Sequence, residues 1–229
     1  MSVAKTIKIL SGGALRTLMV EVVPLFEAAH DVKVAIEFRL TSVLQKEIAE
    51  GATFDVAILP RAELDELAAA GKITAGTVFD IARSAVGLAV RAGAAKPDIG
   101  TVAGFERTLR EAGSIAYSDG PSGAYIGALL QRLGLAEEMK PKTRLTSRPV
   151  AELLAEGAAE VGMQQIVAIL PVKGAELVGP LPSELQNVIV YAAGISAAAQ
   201  NQGAAGSFID FMRSPQAALL MRAKGLEPG

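Results

Sequence analysis

The sequence of 229 residues lacks cysteine and tryptophan, has a single histidine, and contains no long run of apolar residues. Without cysteine there is no disulfide, no thiolate nucleophile and no cysteine-type metal site. A single histidine, His30, excludes a cage of several histidines and weakens any catalytic triad, and we expect it to be a solvated residue near the C-terminal end of a helix. No apolar run reaches the roughly 18–20 residues that span a bilayer, so we expect no membrane insertion.

The sequence also has almost no excess of either sign of charge, and few aromatic residues. The 22 basic and 24 acidic residues leave a net charge of −2, and aromatic residues make up 4% of the chain. A protein that binds nucleic acid needs an excess of basic residues to contact phosphates or aromatic residues to stack on bases, so we expect no nucleic-acid partner. No phosphate-binding glycine loop, zinc-binding H-E-x-x-H or nucleophile elbow occurs, and no metal or cofactor is predicted.

The first residues, "MSVAKTIKIL", lack the apolar segment and the cleavage site of a secretory signal. They pass directly into the first predicted strand. We therefore expect a cytoplasmic protein as the sequence is written, and a periplasmic one if a leader has been removed.

Apolar residues alternate between the spacing of strands and that of helices. In order along the chain, the pattern predicts a strand at 6–10, a helix at 14–29, a strand at 32–38, a helix at 42–50, a strand at 54–59 and a helix ending at Gly71. Three successive strand–helix units indicate a parallel sheet with right-handed crossovers. The chain is therefore predicted to have an α/β fold.

Two long apolar stretches, 81–93 and 187–196, flank a second strand–helix block. The first is too long for one strand within a compact sheet, so we expect the chain to cross twice between two lobes. Lobe 1 would be 1–82 plus 192–229 and lobe 2 would be 83–191, each a mainly parallel sheet flanked by helices. A cleft between such lobes is a favoured ligand site.

Short polar residues follow several predicted strands, where ligands of open α/β sheets bind. Alone, each is a commonplace helix start, but together they predict a site for an anion at helix N-termini. The candidate ligand-binding residues are Ser11, Gly12, Thr41, Ser42, Ser118, Ser122, Gly123, Gln164 and Gln165.

Four segments resemble the solute-binding proteins of molybdate-type ABC transporters, in their order and spacing. They are "FEAAHDVKVAIEF", "TSVLQKEIAEGATFDVAIL", "SGAYIGALLQRLGL" and "AAGSFIDFMRSPQAALLMRAKGL". The resemblance covers nearly the whole chain. It implies the type II periplasmic-binding-protein fold, a two-lobed clamshell, and the binding of a small anion.

In that family, hydroxyls and backbone N–H groups hold the oxyanion without lysine or arginine. The resemblance assigns this task to Ser11, to Thr41 or Ser42, and to Ser122 with Gly123. The family's strand-end turn carries a tyrosine, whereas this sequence has Gly162-Met163-Gln164-Gln165. A glutamine has a donor and an acceptor, so this departure favours a ligand of mixed character, such as a small carboxylate or hydroxy acid.

The leading interpretation is a binding module for a small oxyanion or organic acid, with an ABC permease as partner only if the protein is exported. An alternative is an isomerase of a small unsaturated polycarboxylic acid such as aconitate, an activity found among proteins that resemble this family. Its candidate base is Asp119, with Tyr117 or Gln164 and Gln165 orienting the substrate. A third interpretation, a cytoplasmic sensor domain, is disfavoured because the chain carries no output domain.

Overall fold

The computed structural model describes residues 5–229. The chain divides into two compact units. Unit 1 consists of the residues up to Arg83 together with Ile189–Gly229, and unit 2 is Ser84–Val188. The chain passes from one unit to the other within a long strand at the first border and near the start of another strand at the second.

Strands and helices alternate along most of the described chain, as the sequence predicts. The strands are β1 (Lys5–Gly12), β2 (Val32–Arg39), β3 (Val56–Pro60), β4 (Phe79–Arg91), β5 (Ile115–Ser118), β6 (Thr143–Thr146), β7 (Val161–Gln165), β8 (Ala175–Pro180), β9 (Val188–Ile195) and β10 (Glu227–Pro228). The helices are α1 (Arg16–Ala29), α2 (Thr41–Ala49), α3 (Arg61–Ala69), α4 (Val102–Glu111), α5 (Pro121–Arg132), α6 (Ala136–Met139), α7 (Val150–Glu156), α8 (Ile166–Ile169), α9 (Gln202–Met212) and α10 (Pro215–Ala223).

The sheet of unit 1 has the strand order β2-β1-β3-β9. Strand β1 is parallel to β2 and to β3, whereas β9 is antiparallel to β3. Strand β10 pairs antiparallel with the first part of β4. The parallel pairs come from the predicted strand–helix units, and the strands at the unit borders make the sheet mixed.

Unit 2 repeats this pattern with the order β4-β7-β5-β6, and β8 pairs with β4. Strand β5 is parallel to β6 and β7, while β4 is antiparallel to β7 and β8. Successive side chains of a strand point to opposite faces, so both faces of this sheet can be covered. Helices α4, α5 and α6 pack on one face and α7 and α8 on the other.

The buried apolar side chains of unit 2 form a cluster on each face of its sheet. Phe105, Leu109 and Ile126 pack with Ile115 and Met163 on one face, and all five are fully buried. Burying one such side chain stabilises the fold by about 1.5–3 kcal/mol. On the opposite face the cluster is smaller and alanine-rich, with Val150 and Leu154 of α7 against Ala89 and Ala116.

A buried carboxylate joins distant parts of unit 1. Asp55 accepts hydrogen bonds from the backbone N–H groups of Lys8 at 2.8 Å, Gln200 at 3.0 Å and Asn201 at 3.1 Å. Three N–H donors compensate the cost of burying the charge. This carboxylate therefore connects β1 and the residue before β3 with the chain leading into α9.

Three features differ from the sequence prediction. The stretch expected to be too long for one strand is the single 13-residue strand β4, whose first residues belong to unit 1 and whose remainder belongs to unit 2. Strand β8 was not predicted, because its side chains are half-buried and lack a clear alternation. His30, expected to be solvated, is half-buried and stacks on Phe26 with ring centroids 4.5 Å apart.

Candidate functional site

The parallel strands of each sheet all end on the same side, at the carboxyl-terminal end of the sheet, which is called its edge below. In unit 2 these strands, β6, β5 and β7, end at Thr146, Ser118 and Gln165. In unit 1 the strands β2 and β1 end at Arg39 and Gly12. The predicted site residues lie at these two edges, because carboxyl ends of parallel strands meet on the same side of a sheet.

The edge of unit 2 carries a pair of hydroxyls. Ser118 Oγ and Ser122 Oγ lie 3.2 Å apart and share one hydrogen bond, and both residues are buried. Only one of the two hydroxyls donates in this bond, so the other O–H is available to an outside acceptor. Ser122 belongs to the first turn of α5, where backbone N–H groups have no partner inside the helix. The pair thus provides donors at a helix N-terminus.

Gly123 is packed directly against the end of β5. A Cβ at this position would collide with the backbone oxygen of Ser118. Only glycine lets the first turn of α5 approach the strand so closely. The sequence-predicted trio of Ser118, Ser122 and Gly123 is therefore brought together by the structure.

Asp119 and Tyr117 flank Ser118 but occupy different surroundings. The backbone N–H of Asp119 donates to the Thr146 oxygen at 3.0 Å, and its exposed carboxylate makes no hydrogen bond or ion pair within residues 5–229. Tyr117 is half-buried and packs against the apolar cluster beneath α5. Tyr117 therefore contributes to the core, whereas Asp119 presents a free carboxylate beside the hydroxyl pair.

The two glutamines do not form a pair. Consecutive residues of a strand point to opposite faces, so the side chains of Gln164 and Gln165 diverge. Gln164 Oε1 accepts a hydrogen bond at 2.9 Å from the backbone N–H of Val150, the first residue of α7. Gln165 is half-buried at the end of β7. The sequence suggested that the two glutamines act together as a donor and an acceptor, but in the structure their side chains lie on opposite faces of β7.

At the edge of unit 1, Ser11 and Gly12 end β1 beside the start of α2. Ser11 is fully buried and its hydroxyl donates to the Gly12 oxygen at 3.1 Å. A Cβ on Gly12 would lie 3.4 Å from Thr41 Oγ1, so these two residues are neighbours. Thr41 and the exposed Ser42 occupy the first two helical positions and do not cap α2. Their hydroxyls make no hydrogen bond within residues 5–229, while that of Ser11 is used internally.

A cation beside Ser11 was missed by the sequence prediction. The guanidinium of Arg16 lies over the ring of Phe38, with Cζ 4.3 Å from its centroid. Phe38 is the residue of β2 paired with Ser11 of β1. Arg16 makes no ion pair within residues 5–229, and ring stacking holds its planar donors in place. The only sequence signal is an arginine one turn after the first polar loop.

The other cations at this edge are already paired with an acid. Lys8 Nζ lies 2.9 Å from Glu37 Oε1, and Arg39 donates to Glu37 Oε2 at 2.8 Å. Hydrogen bonds from Lys8 and then from Arg39 hold the pKa of the Glu37 carboxyl below its ordinary value. Arg39 Nε also lies 3.3 Å from Glu47 Oε2, so two acids balance these two cations, whereas Arg16 has no acidic partner within residues 5–229.

Residues 5–229 contain neither a cluster of metal-binding side chains nor a helix suited to crossing a membrane. No group of three or more histidine or acidic side chains is arranged to hold a metal ion. Among the helices described, none combines the length and the apolar character that crossing a membrane requires.

The chain belongs to the bacterial extracellular solute-binding protein family, whose model matches residues 7–227. It is a solute-binding module, and the resemblance to binding proteins of the molybdate type is confirmed. One relative of this chain is a protein of a Pseudomonas species that is named aconitate isomerase. The two sequences are 31% identical over 97% of this chain and 88% of the relative.

Solved structures share the fold along almost the whole chain. The substrate-binding domain of a molybdenum ABC transporter from Clostridium difficile has a TM-score of 0.84 at 19% identity and covers 97% of this chain and 98% of its own. The periplasmic molybdate-binding protein of Azotobacter vinelandii has a TM-score of 0.75 at 20% identity, covering 96% and 98%. The sulfate-binding protein of Mycobacterium tuberculosis has a TM-score of 0.74 at 17% identity, covering 98% and 87%. These likenesses confirm the type II periplasmic-binding-protein fold.

Proposed function

We propose that this protein binds a small organic polycarboxylate through hydroxyls and helix N-terminal N–H groups. The observation that carries the proposal is the buried pair Ser118 and Ser122, 3.2 Å apart at the start of α5, with Gly123 closing the first turn onto the strand. Such a cluster can bind an anion through neutral hydroxyl and N–H donors, without a positively charged side chain.

One observation favours an organic acid over an inorganic oxyanion. The relative with 31% identity is named for aconitate, a tricarboxylic acid, whereas the proteins named for molybdate and sulfate are at most 20% identical.

Isothermal titration calorimetry tests this proposal. The protein is titrated with trans-aconitate, tricarballylate, citrate, molybdate and sulfate under identical buffer conditions. We expect heat and saturation with at least one of the three organic acids, and weaker or no binding of the two inorganic anions. Tight binding of molybdate or sulfate with no response to any organic acid would overturn the assignment.

A second candidate function is isomerisation of the bound acid. The free carboxylate of Asp119 beside the hydroxyl pair is the observation that favours it, together with the name of the relative. In this reaction a base removes an allylic proton from a methylene group and a proton is returned at the other end of the shifted double bond. No oxidant or reductant is needed. Hydroxyl and N–H donors would stabilise the negative charge on the carboxylate-conjugated intermediate.

Proton NMR in deuterated buffer separates binding from turnover. Incubation with trans-aconitate is expected to give the cis isomer with deuterium at the exchanged carbon, and Asp119→Asn is expected to abolish exchange while retaining binding. If the wild-type protein binds trans-aconitate but neither isomerises nor exchanges it, the isomerase candidate is eliminated and the binding function stands.

A transport role would require an ABC permease as partner, and we propose this partner only for an exported form of the protein. Fractionation of cells expressing the full-length gene tests it. Recovery in the periplasm would support the permease, whereas recovery in the cytoplasm alone would exclude it.

A further inference from the structure

The amide of Gln164 is fixed by the helix beside it. Helix α7 begins at Val150 after Pro149, whose side chain cannot cap it, so the first N–H of the helix needs an acceptor from elsewhere. Gln164 Oε1 supplies that acceptor at 2.9 Å. Gly162, two residues earlier on the same face of β7, leaves room for Val150: a Cβ there would lie 2.5 Å from Val150 Cγ1. The packing beneath α7 therefore holds the Gln164 side chain against its first turn.

This hydrogen bond decides which way the amide points. An N–H group can donate only to an acceptor, so the oxygen of Gln164 must face Val150 and the NH₂ group must face away. The Nε2 atom donates to no group within residues 5–229. On the side that faces away from α7, Gln164 therefore presents its two N–H donors, since its oxygen is turned toward Val150. The fold therefore separates the acceptor side of this amide, which faces α7, from its donor side.

Gln164 lies one residue before the end of β7, and the neighbouring strand β5 carries the first residue of the hydroxyl pair, Ser118. Strands β5 and β7 are parallel neighbours, with Tyr117 paired to Met163. The next residues along the two strands are Ser118 and Gln164, so their backbones lie about 5 Å apart at the same edge of the sheet. The free amide donors and the hydroxyls of Ser118 and Ser122 thus belong to one edge within unit 2.

We infer that Gln164 is a specificity-determining residue that selects ionised carboxylates, because the bond to α7 turns the oxygen of its amide toward the helix and the NH₂ donors away from it. The inference rests on the proposed function. An ionised carboxylate presents only lone pairs, and hydrogen bonds to it are stronger than bonds to a neutral group. A protonated carboxyl group accepts from the NH₂ group only through a neutral oxygen, which gives a weaker hydrogen bond, and its own O–H finds no acceptor on the NH₂ group. The ligand class is therefore an organic acid whose carboxyl group next to Gln164 is ionised.

Two substitutions at this position separate binding from packing. Gln164→Glu is nearly isosteric and keeps an oxygen for the Val150 N–H, but it replaces the donor by a second oxygen. Gln164→Met has neither the acceptor nor the donor. We expect stability in the order wild type ≈ Gln164→Glu > Gln164→Met. We expect affinity for trans-aconitate in the different order wild type > Gln164→Met > Gln164→Glu, with the last roughly 10- to 100-fold below wild type.

Calorimetric titration of each variant with trans-aconitate measures the order of affinity, and thermal unfolding measures the order of stability. Gln131→Glu is the charge control, because this exposed residue lies near the C-terminal end of α5. Its affinity should equal that of the wild type. An affinity that simply follows stability, or an unchanged affinity in Gln164→Glu, would overturn the inference while leaving the binding function intact. Absence of binding to the wild-type protein would instead overturn the proposed function.

Discussion

Gly123 determines how closely α5 approaches the end of β5. It is followed in the same helix by Gly127, for which an added Cβ would meet nothing within 4 Å. The two glycines therefore form a natural comparison: the first is required by close packing, and the second only weakens the helix. Short side chains at the start of α5 are what allow Ser118 and Ser122 to share a hydrogen bond.

Gly123→Ala is expected to destabilise the protein by at least about 2 kcal/mol, because its methyl group collides with the Ser118 backbone and the helix must shift. Urea unfolding measures the change in free energy. Gly127→Ala is the matched control and should stabilise by roughly 0.5–1 kcal/mol. Equal effects of the two substitutions would contradict the packing described for the start of α5.

Single side chains also show where prediction from sequence reaches its limit. Serine, threonine and glycine at strand ends were recognised because their turn and capping preferences are local. The bond from Val150 to Gln164 and the stacking of Arg16 on Phe38 were not. Both depend on which elements become neighbours, and nothing in the local residue pattern encodes that.

Helix α1 is tied to the neighbouring strand β2 by an acidic side chain. Glu27 Oε1 accepts from the backbone N–H of Val34 at 2.8 Å, and its Oε2 accepts from Lys33 Nζ at 3.0 Å. The bond from Val34 and then that from Lys33 lower the pKa of Glu27 from its ordinary value of 4.5. A carboxyl with a lowered pKa stabilises the fold above its ordinary pKa, and this contribution is lost as the pH falls through the lowered value.

Glu27→Gln is therefore expected to be less stable than the wild-type protein near neutral pH and to approach it in acid. Urea unfolding at about pH 7 and at about pH 3 measures the difference in the free energy of unfolding. Glu111→Gln, at an exposed carboxylate without an ion pair in residues 5–229, is the control and should show no such change. A difference that grows toward acid pH would contradict the contacts of Glu27.

Most elements could be predicted because each carries its own periodicity, as with α1, β2 and α2. The exceptions have physical reasons. Strand β8 is half-buried and irregular, with a shift in register between Leu88 and Ala89 of its partner β4. Strand β4 is longer than a strand of one compact sheet because its residues are shared between the two units.

Each unit has a hydrophobic core built from its own residues. Both clusters on the sheet of unit 2 draw only on residues between Val86 and Leu185. A cluster in unit 1 is formed by residues between Leu10 and Ile73 together with Ala192. A unit with its own core could in principle fold alone.

The fragment 84–188 is expected to fold without the rest of the chain. Dispersed amide signals in a ¹⁵N–¹H correlation spectrum and a cooperative thermal transition would identify a folded fragment. The signals of Ile126 and Met163, fully buried in the cluster beneath α5, should match those of the whole protein. A narrow spectrum without a cooperative transition would contradict an independent core in unit 2.

The binding of a small organic acid by the hydroxyl pair and the start of α5 is the central claim. The most direct measurement is a titration of the ¹⁵N-labelled whole protein with trans-aconitate, followed by ¹⁵N–¹H correlation spectra. We predict saturating shifts at the amides of Ser122, Gly123 and Gln164, including the side-chain NH₂ of Gln164. Unchanged signals at these residues, with saturating shifts elsewhere or none at all, would contradict the account.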